Sequence, residues 1–445
     1  MWSLLRGKKA PQPGHDPLTR YSAQRANSLK SMTTAIVNIG QLVTLAGPAR
    51  PRVGAELREL AILHDAALLI EDGRIVAIGT YTDLHRQIPS TAEVIDAQGR
   101  CITPGFIDAH THLVFAGNRA AEFEQRIAGA TYQQIAAAGG GILSTVRQTR
   151  DASEDELLAI ARTHRDWMLR SGTTTIEAKS GYGLDLDTEL RILRVLQRLN
   201  NEGPARIIPT LLAAHTVPPE FAHDRAGYIR LIIDEIIPAA ASSGLARYCD
   251  AFCDDHAFTV EETRTVLEAA KRHDLGLRIH AEQFRPGTGA ALAAELGAAT
   301  ADHLETVTEE TLLQLCKAGT QPVLLPASVF ALSRTQYPPA RQMVDLGLPI
   351  VLATDFNPGS SPVASMPFIL SLACLEMRLS PAEALTAATI NAACSLNLGL
   401  QIGSLEPGKQ ADLLIHEFSD YRELAYFIAA SARPRVFIAG REVTP

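Results

Sequence analysis

Short hydrophobic runs in the middle of the chain alternate with segments of helical periodicity. Several helical segments begin with capping boxes, at Ser153-x-x-Glu156, Thr259-x-x-Glu262 and Ser380-x-x-Glu383. This alternation predicts an α/β fold, and eight strands predict a parallel (β/α)8 barrel of the TIM type. A doubly wound open sheet is the alternative, because the pattern does not reveal the strand order. The predicted strands cover residues 105–109, 173–179, 206–213, 247–253, 276–281, 299–303, 321–325 and 349–354.

Both ends of the chain carry a different pattern, rich in short β runs. Residues 67–79 form two such runs around Asp72-Gly73, a strong hairpin signal. A second β-rich segment, 411–440, follows the turn-forming residues 403–409. We therefore predict a small β-sandwich domain built from residues 32–101 and 403–445, with the barrel at 102–402. Residues 1–31 carry six basic side chains and one acidic side chain, and we interpret them as a disordered leader.

Composition narrows the class of protein. The chain has 445 residues, 46% of them hydrophobic and 20% charged, which is typical of a globular protein. A net charge of −8 argues against nucleic acid or an anionic membrane as a partner, and no hydrophobic run reaches the ~18–20 residues of a membrane span. The six cysteines form no CxxC pair, so we expect a reduced, cytoplasmic protein.

Five side chains that commonly bind metals occur where predicted strands end, which is the face that carries the active site in barrels. His110 and His112 follow the first strand, and their i, i+2 spacing places both on one face of an extended chain. His280 and His303 end the fifth and sixth strands, and Asp355 ends the eighth. Three histidines and one aspartate are typical of a catalytic zinc or iron site. Such an ion acidifies a bound water, so these residues indicate a metal-dependent hydrolase.

Longer motifs resemble known families. The segments Pro104-Gly-Phe-Ile-Asp-Ala-His-Thr-His112, Ala353-Thr-Asp355 and Gly403-Ser-Leu-Glu-Pro-Gly-Lys-Gln-Ala-Asp-Leu413 are similar to those of the amidohydrolase superfamily. Within it, motifs spread over residues 34–440 resemble the imidazolonepropionase family. These are Phe115-Ala-Gly-Asn-Arg119, Gly139-Gly-Gly-Ile142, Glu177-Ala-Lys-Ser-Gly-Tyr-Gly-Leu184, His280-Ala-Glu-Gln-Phe284, Ala301-Asp-His-Leu-Glu305 and Thr354-Asp-Phe-Asn-Pro-Gly-Ser360.

The resemblance implies a distorted barrel joined to a β-sandwich, a homodimer, and one zinc or iron ion per chain. It also implies hydrolysis of the cyclic amide C–N bond of 4-imidazolone-5-propanoate to N-formimidoyl-L-glutamate, a step of histidine degradation. We expect His110, His112, His280 and Asp355 to be the metal ligands. Asp355 is further assigned as the general base, and His303 as the group that polarises the carbonyl oxygen.

A single ion is favoured over two. Binuclear amidohydrolases bridge their ions with a carboxylated lysine on the fourth strand, and the fourth predicted strand contains no lysine. Lys179 ends the second strand, which is the wrong place. Cys249 and Cys253 lie on the fourth strand, and we interpret them as buried thiols.

The substrate would be a small planar ring with a propionate tail. A carboxylate is best bound by the planar donor fork of an arginine, and Arg119 lies in the loop that leaves the first strand. His215 follows the third strand and is a candidate for a hydrogen bond to the ring oxygen. By resemblance, the substrate-binding positions are Arg119, Tyr182, His215, Gln283, Asn357, Gly359 and Ser360.

Two other functions compete with this interpretation. A mononuclear purine or pyrimidine deaminase needs a proton-exchanging glutamate three residues after the fifth-strand histidine, and this chain has Gln283 there. Glu282 is adjacent, but alternation along a strand directs it to the other face. A catalytically inactive amidohydrolase-like binding protein is the second alternative, although such chains usually lose metal ligands.

Overall fold

The computed structural model describes residues 33–130, 134, 139–254, 257–428 and 433–444. The predicted leader, residues 1–31, lies outside the described residues. No helix within these ranges combines the length and the apolar character that a membrane crossing requires. The strands, numbered along the chain, are β1 Thr33–Val43, β2 Ile62–Glu71, β3 Arg74–Thr80, β4 Glu93–Asp96, β5 Cys101–Pro104, β6 Phe106–Asp108, β7 Thr173–Lys179, β8 Arg206–Ala214, β9 Tyr248–Cys253, β10 Gly276–Ala281, β11 Thr300–His303, β12 Gln321–Leu324, β13 Val351–Leu352, β14 Leu413–Ile415, β15 Arg435–Ile438 and β16 Arg441–Val443.

One sheet, which we call the terminal sheet, is built from both ends of the chain. Its strands follow the order β16-β15-β14-β5-β1-β2-β3, and β4 pairs with β1. Strands from both ends bury one cluster of apolar side chains, including Ile36, Leu68 and Leu413. Asp72 and Gly73 both have positive φ, 49° and 79°, and join β2 to β3 in the predicted hairpin. The small β domain made from both chain ends is therefore confirmed.

The second sheet is the barrel, and its neighbouring strands are parallel in the order β6 to β13. Strands β6 to β12 lie within one residue of the predicted bounds at either end, and β13 is two residues shorter than predicted at each end. That strand is short because the chain leaves the ladder after Leu352, and Asp355 has a left-handed φ of 55°. The predicted TIM-type barrel is confirmed, and the open doubly wound sheet is wrong.

The barrel closes beyond β6 and β13 through the residues that follow these strands. The His112 amide donates to the Phe356 carbonyl at 2.8 Å, and the Asp355 amide donates to the His110 carbonyl at 3.1 Å. Below this seam, the Asp108 carboxylate accepts a 2.6 Å hydrogen bond from the Thr354 hydroxyl. The backbone that carries three of the predicted metal ligands is therefore held in place by the closure itself.

Helices cover the outside of the barrel. The predicted capping boxes are present at Ser153, Thr259 and Ser380, each at the start of a helix. The α-helices described are Tyr81–Leu84, Ala120–Ile127, Ile142–Asp151, Glu154–Arg170, Leu186–Glu202, Arg225–Leu231, Ile237–Ser242, Val260–Arg272, Gly289–Leu296, Glu309–Ala318, Pro326–Ala331, Ala340–Asp345, Met366–Glu376, Pro381–Ala387, Ile390–Ser395 and Glu423–Tyr426, with a π-helical turn at Ile232–Ile236 and 3-10 turns at Gly54–Arg58, His85–Gln87 and Pro219–Phe221.

Candidate active site

The five predicted metal-binding side chains converge at the carboxyl end of the barrel, and we call them the ligand cluster: His110, His112, His280, His303 and Asp355. All five are buried. The imidazole centroids of His110 and His280 are 4.5 Å apart, and that of His303 is 5.5 Å from His280. The Nε2 atoms of His110 and His112 each lie 3.5 Å from Oδ1 of Asp355.

The geometry of the ligand cluster fits a metal ion. Two overlapping groups have ligand atoms within 4.8 Å of one another: His110 with His280 and His303, and His110 with His112 and Asp355. Among the described residues, Nε2 of His110 and Nε2 of His280 find no hydrogen-bond partner although both are buried. Leaving two such nitrogens unpaired is costly, and a cation between them would satisfy both. These observations support a metal site at the ligand cluster. Which of the five side chains bind the ion stays a prediction.

Carboxylates determine which nitrogen of His110 and which nitrogen of His280 faces the cluster. His110 Nδ1 lies 2.6 Å from Asp302, and His280 Nδ1 lies 3.0 Å from Asp250. Since ionised carboxylates only accept hydrogen bonds, each Nδ1 carries the proton and each Nε2 keeps a free lone pair. That is the tautomer a metal ligand needs.

His303 differs from the other histidines in its electrostatic surroundings. Its Nδ1 lies 3.2 Å from Glu305. Burial lowers the pKa of His303, but the negative charges of Glu305, Asp355 and Asp302 outweigh it, so the pKa is raised above its ordinary value. In contrast, burial above all lowers the pKa of His110 and of His112. His303 is thus better suited than His110 or His112 to carry two protons.

A tight turn after β13 shapes the wall beside Asp355. The Asn357 side-chain oxygen accepts from the amides of Gly359 and Ser360, both at 2.8 Å, and its side-chain nitrogen donates to the Asp355 carbonyl at 2.6 Å. Ser360 Oγ lies 3.5 Å from Asp355 Oδ2. The Asn357 side chain is therefore used within the turn, and the turn presents Ser360 to the ligand cluster.

Arg119 reaches this turn from the neighbouring loop, which follows β6. Its Nε donates to the Thr145 hydroxyl at 3.0 Å, which sets the direction of the guanidinium. A Cβ added to Gly359 would lie 2.9 Å from Arg119 Cζ, so the absence of a side chain at Gly359 makes room for the arginine. Arg119 is half-buried, and among the described residues no hydrogen bond from its Nη atoms is found, so they can bind a carboxylate.

Tyr182 and His215 form the adjoining wall. The His215 ring stacks on His112 with centroids 5.1 Å apart, and the Tyr182 ring lies 5.4 Å from His215. Gly181 permits this contact, because its φ is 100° and a Cβ there would lie 2.9 Å from His215 Nδ1. The buried Glu189 carboxylate holds the loop by accepting from the amides of Gly181, Gly183 and Leu184.

The hydrogen bond of His215 changes its expected role. Nδ1 lies 2.9 Å from the Gly181 carbonyl, which only accepts, so Nδ1 carries the proton. Burial lowers the pKa of His215 well below its ordinary value, and the ring is neutral. Nε2 is then an acceptor and can receive a hydrogen bond from a ring N–H. The expected hydrogen bond from His215 to a ring oxygen does not suit this tautomer.

Gln283 and Glu282 follow β10 and have different surroundings. The Gln283 side chain is buried, and the main-chain carbonyl of Gln283 accepts a hydrogen bond from Arg334. Glu282 faces away from the ligand cluster, because its carboxylate accepts from the Ala290 amide at 3.0 Å, at the start of helix Gly289–Leu296. Burial raises the pKa of Glu282 to about 7, but its position excludes it as a base at the cluster.

Sequence reasoning missed the residues that hold the ligand cluster from below. Glu177, Lys179, Asp250, Arg278 and Asp302 are completely buried inside the barrel, and we call them the ion-pair layer. A signal was present, because these charged residues lie within predicted barrel strands, and charged side chains are almost never fully buried unless they are paired. Cys249 and Cys253 are buried free thiols, as predicted.

The amidohydrolase family model matches residues 101–443. The chain belongs to the amidohydrolase family. Imidazolonepropionase of Solibacter usitatus (strain Ellin6076) is 57% identical over 408 residues, which cover 92% of this chain and 98% of the relative. Imidazolonepropionase of Symbiobacterium thermophilum is 45% identical over 416 residues, which cover 93% and 97%. The predicted resemblance to both families is confirmed, and with it the class of hydrolases acting on C–N bonds of cyclic amides.

Solved structures of other amidohydrolases share the fold. E. coli guanine deaminase superposes with a TM-score of 0.69 at 18% identity, covering 93% of this chain and 99% of that chain. The 5-methylcytosine deaminase of Klebsiella pneumoniae gives a TM-score of 0.68 at 18% identity, covering 92% and 97%. At this identity the likeness concerns the fold alone.

Proposed function

We propose that this protein hydrolyses the cyclic amide C–N bond of 4-imidazolone-5-propanoate to give N-formimidoyl-L-glutamate. The observation that carries the proposal is the meeting of a metal-type ligand cluster with Arg119, Tyr182 and His215 at one barrel mouth. The 57% identity to an imidazolonepropionase supports the same substrate. The neutral amide Gln283, in place of a proton-exchanging glutamate, argues against a deaminase.

We propose one Zn2+ or Fe ion per chain, held by His110, His112, His280 and Asp355. When bound, such an ion acidifies water and polarises a carbonyl group. A second ion bridged by a carboxylated lysine is disfavoured, since the Lys179 amine lies 2.9 Å from Glu177 and 2.8 Å from Asp250 as an ion pair.

Two side chains handle the protons in the proposed reaction. Asp355 accepts a proton from the water that attacks the ring carbonyl carbon. His303, whose pKa is raised by Glu305, Asp355 and Asp302, carries a proton on each nitrogen and donates a hydrogen bond from Nε2 to the carbonyl oxygen as that oxygen becomes an oxyanion. The C–N bond then breaks, and Asp355 delivers its proton to the departing nitrogen. The new carboxyl group loses the second proton of the water to solvent, so the product carries a carboxylate and an open formimidoyl group.

The remaining predicted residues bind the substrate in this proposal. Arg119 pairs with the propionate carboxylate through its free Nη atoms, and His215 accepts from a ring N–H. Tyr182 packs beside the ring. Gly359 and Ser360 line the wall next to Asp355, with Asn357 holding their turn, and Gln283 closes the site after β10.

We also propose that the chain forms a homodimer. Phe330, Leu375 and Tyr426 are 53%, 63% and 75% exposed, and the helix of Leu375 packs against the helices of the other two. Exposed apolar patches of this kind mark interfaces. Sedimentation should then give twice the 47.9 kDa of the chain. The six unpaired cysteines favour a reducing compartment such as the cytoplasm.

The function is tested by incubating protein loaded with Zn2+ or Fe with 4-imidazolone-5-propanoate. Loss of substrate absorbance should match the N-formimidoyl-L-glutamate formed, and Asp355→Ala should serve as the inactive control. Ammonia released from guanine or 5-methylcytosine, with no action on the imidazolone, would establish a deaminase instead. Metal-loaded protein that binds the imidazolone without converting it would establish a binding protein.

A further inference from the structure

Five ionised side chains lie together beneath the ligand cluster, on four barrel strands. The ion-pair layer contains three carboxylates (Glu177, Asp250 and Asp302) and two cations (Lys179 and Arg278), all with 0% exposure. Burying paired charges gives little or no net stability compared with apolar side chains of the same volume. A layer of this kind therefore calls for a role other than stabilising the barrel.

Two carboxylates of the layer each serve a histidine of the ligand cluster and a cation at the same time. Asp250 places Oδ1 3.0 Å from His280 Nδ1 and Oδ2 2.8 Å from Lys179 Nζ. Asp302 places Oδ2 2.6 Å from His110 Nδ1 and 4.0 Å from Lys179 Nζ. Lys179 is thus the cation that faces both histidine-bound carboxylates.

The other contacts of the layer hold these groups in register. Glu177 Oε1 receives the Lys179 ammonium at 2.9 Å, and i, i+2 spacing on β7 places both on one face. Arg278 Nη2 lies 3.7 Å from Asp302 Oδ2 and donates at 2.7 Å to the carbonyl of Ala109, the residue before His110. Arg278 therefore anchors the backbone as well as facing Asp302, whereas Lys179 faces all three carboxylates of the layer.

We propose that Lys179 is a positioning residue, whose ammonium fixes Asp250 and Asp302 and thereby keeps the Nε2 atoms of His280 and His110 directed at the metal. Without this charge, three carboxylates would face one guanidinium. Their repulsion would move Asp250 and Asp302 apart, and the histidines with them. The inference rests on the proposed metal site. It adds that Lys179, on a strand that contributes no metal ligand, holds the ligands of that site in position.

The test compares Lys179→Met with Lys409→Met in the full chain. Lys409 is also a buried lysine in an ion pair, with Glu406, but it lies near the terminal sheet and donates to the Gly399 carbonyl. Metal-free samples are titrated with Zn2+ and with Co2+ against a chromophoric chelator, and the visible spectrum of bound Co2+ is recorded. Thermal unfolding of each metal-free variant is measured in parallel.

We expect Lys179→Met to weaken metal affinity about 10- to 100-fold and to change the Co2+ spectrum, as loss of a group behind a ligand does. Lys179→Arg should recover part of the affinity. Lys409→Met should unfold at a lower temperature with unchanged metal affinity. A Lys179→Met protein with wild-type affinity and spectrum would overturn the inference and leave Lys179 a purely structural residue.

A second variant covers the case in which Lys179→Met does not fold. Glu177→Gln removes the other anchor of Lys179 and keeps both histidine-bound carboxylates, so metal affinity should fall by a smaller factor. Unchanged affinity in a folded Glu177→Gln protein would contradict the inference. Failure of the wild-type protein to bind either ion would instead show that the proposed metal site is wrong.

Discussion

The terminal sheet and the carboxyl end of the barrel are both buried, but different chemistry fills them. The core of the terminal sheet consists of aliphatic side chains such as Ile36, Leu68 and Leu413, together with Phe437. The barrel end contains the ligand cluster and, beneath it, the ion-pair layer. Apolar burial stabilises a fold without directing any atom, whereas paired charges hold atoms in place at a cost in desolvation. The terminal sheet therefore contributes mainly stability, and the carboxyl end of the barrel contributes mainly the positioning of atoms.

The largest effect on turnover is expected from His280→Ala. Losing one direct ligand should lower metal affinity more than the ~10–100-fold typical of losing a group behind a ligand. Metal content after dialysis and kcat/KM both measure it. His164→Ala is the matched control, because His164 is a buried histidine stacked on Phe115 outside the ligand cluster. Wild-type metal content in His280→Ala, or two tightly bound ions in the parent protein, would contradict the single site.

Asp355→Ala and His303→Asn should both lower activity, but they should differ in their effect on metal binding. His303→Asn removes an oxyanion donor, so kcat should fall ~10²–10³-fold with metal and KM nearly retained. Asp355→Ala removes base and ligand together and should lose more activity and part of the metal. The comparison requires kcat, KM and metal content for both variants.

Two results would overturn these assignments. Loss of metal from His303→Asn would make His303 a ligand, an arrangement that its proximity to His110 and His280 allows. Activity within about tenfold of the parent in Asp355→Ala would require another base. Glu282 would not qualify, since its carboxylate is bound to the Ala290 amide.

Substitutions at the mouth of the site should have a smaller effect on kcat/KM than those in the ligand cluster. Arg119→Lys keeps the charge and loses the planar fork, so kcat/KM should fall roughly ten- to a thousandfold. Thr145→Val removes one hydrogen bond to Arg119 and should cost about 1 kcal/mol, or roughly fivefold in kcat/KM. Steady-state kinetics on both variants test this order. Unchanged kinetics in Arg119→Lys would indicate that the propionate carboxylate of the substrate is bound by the turn that carries Gly359 and Ser360.

The smallest effect on turnover is expected in the terminal sheet. Leu413→Ala opens a cavity in its aliphatic core and should lower the free energy of unfolding by about 2–5 kcal/mol. The kcat/KM of the folded enzyme should stay unchanged, because Leu413 packs in the terminal sheet whereas the ligand cluster lies at the carboxyl end of the barrel. Denaturant unfolding and steady-state kinetics on one preparation measure both quantities. A large fall in kcat/KM with little loss of stability would contradict the view that the terminal sheet contributes stability and the barrel end contributes atomic positioning.

Local sequence signals determined much of this protein. Strand length, capping boxes and the Asp72-Gly73 turn depend on neighbouring residues, so they predicted the barrel strands and the hairpin correctly. The i, i+2 spacing of His110 and His112, and the strand-end positions of His280, His303 and Asp355, placed the ligand cluster at one barrel end.

The tertiary structure decided the contacts between strands. The pairing of Lys179 with Asp250 and Asp302 depends on the register of β7, β9 and β11, which no local pattern specifies. The proton on His215 follows from the Gly181 carbonyl, which lies on another loop. Closure of the barrel through Asp355 and His110 likewise joins residues far apart in the chain. Sequence periodicity reports which residues are buried, but the partner of a buried charge is set by the packing of the whole barrel.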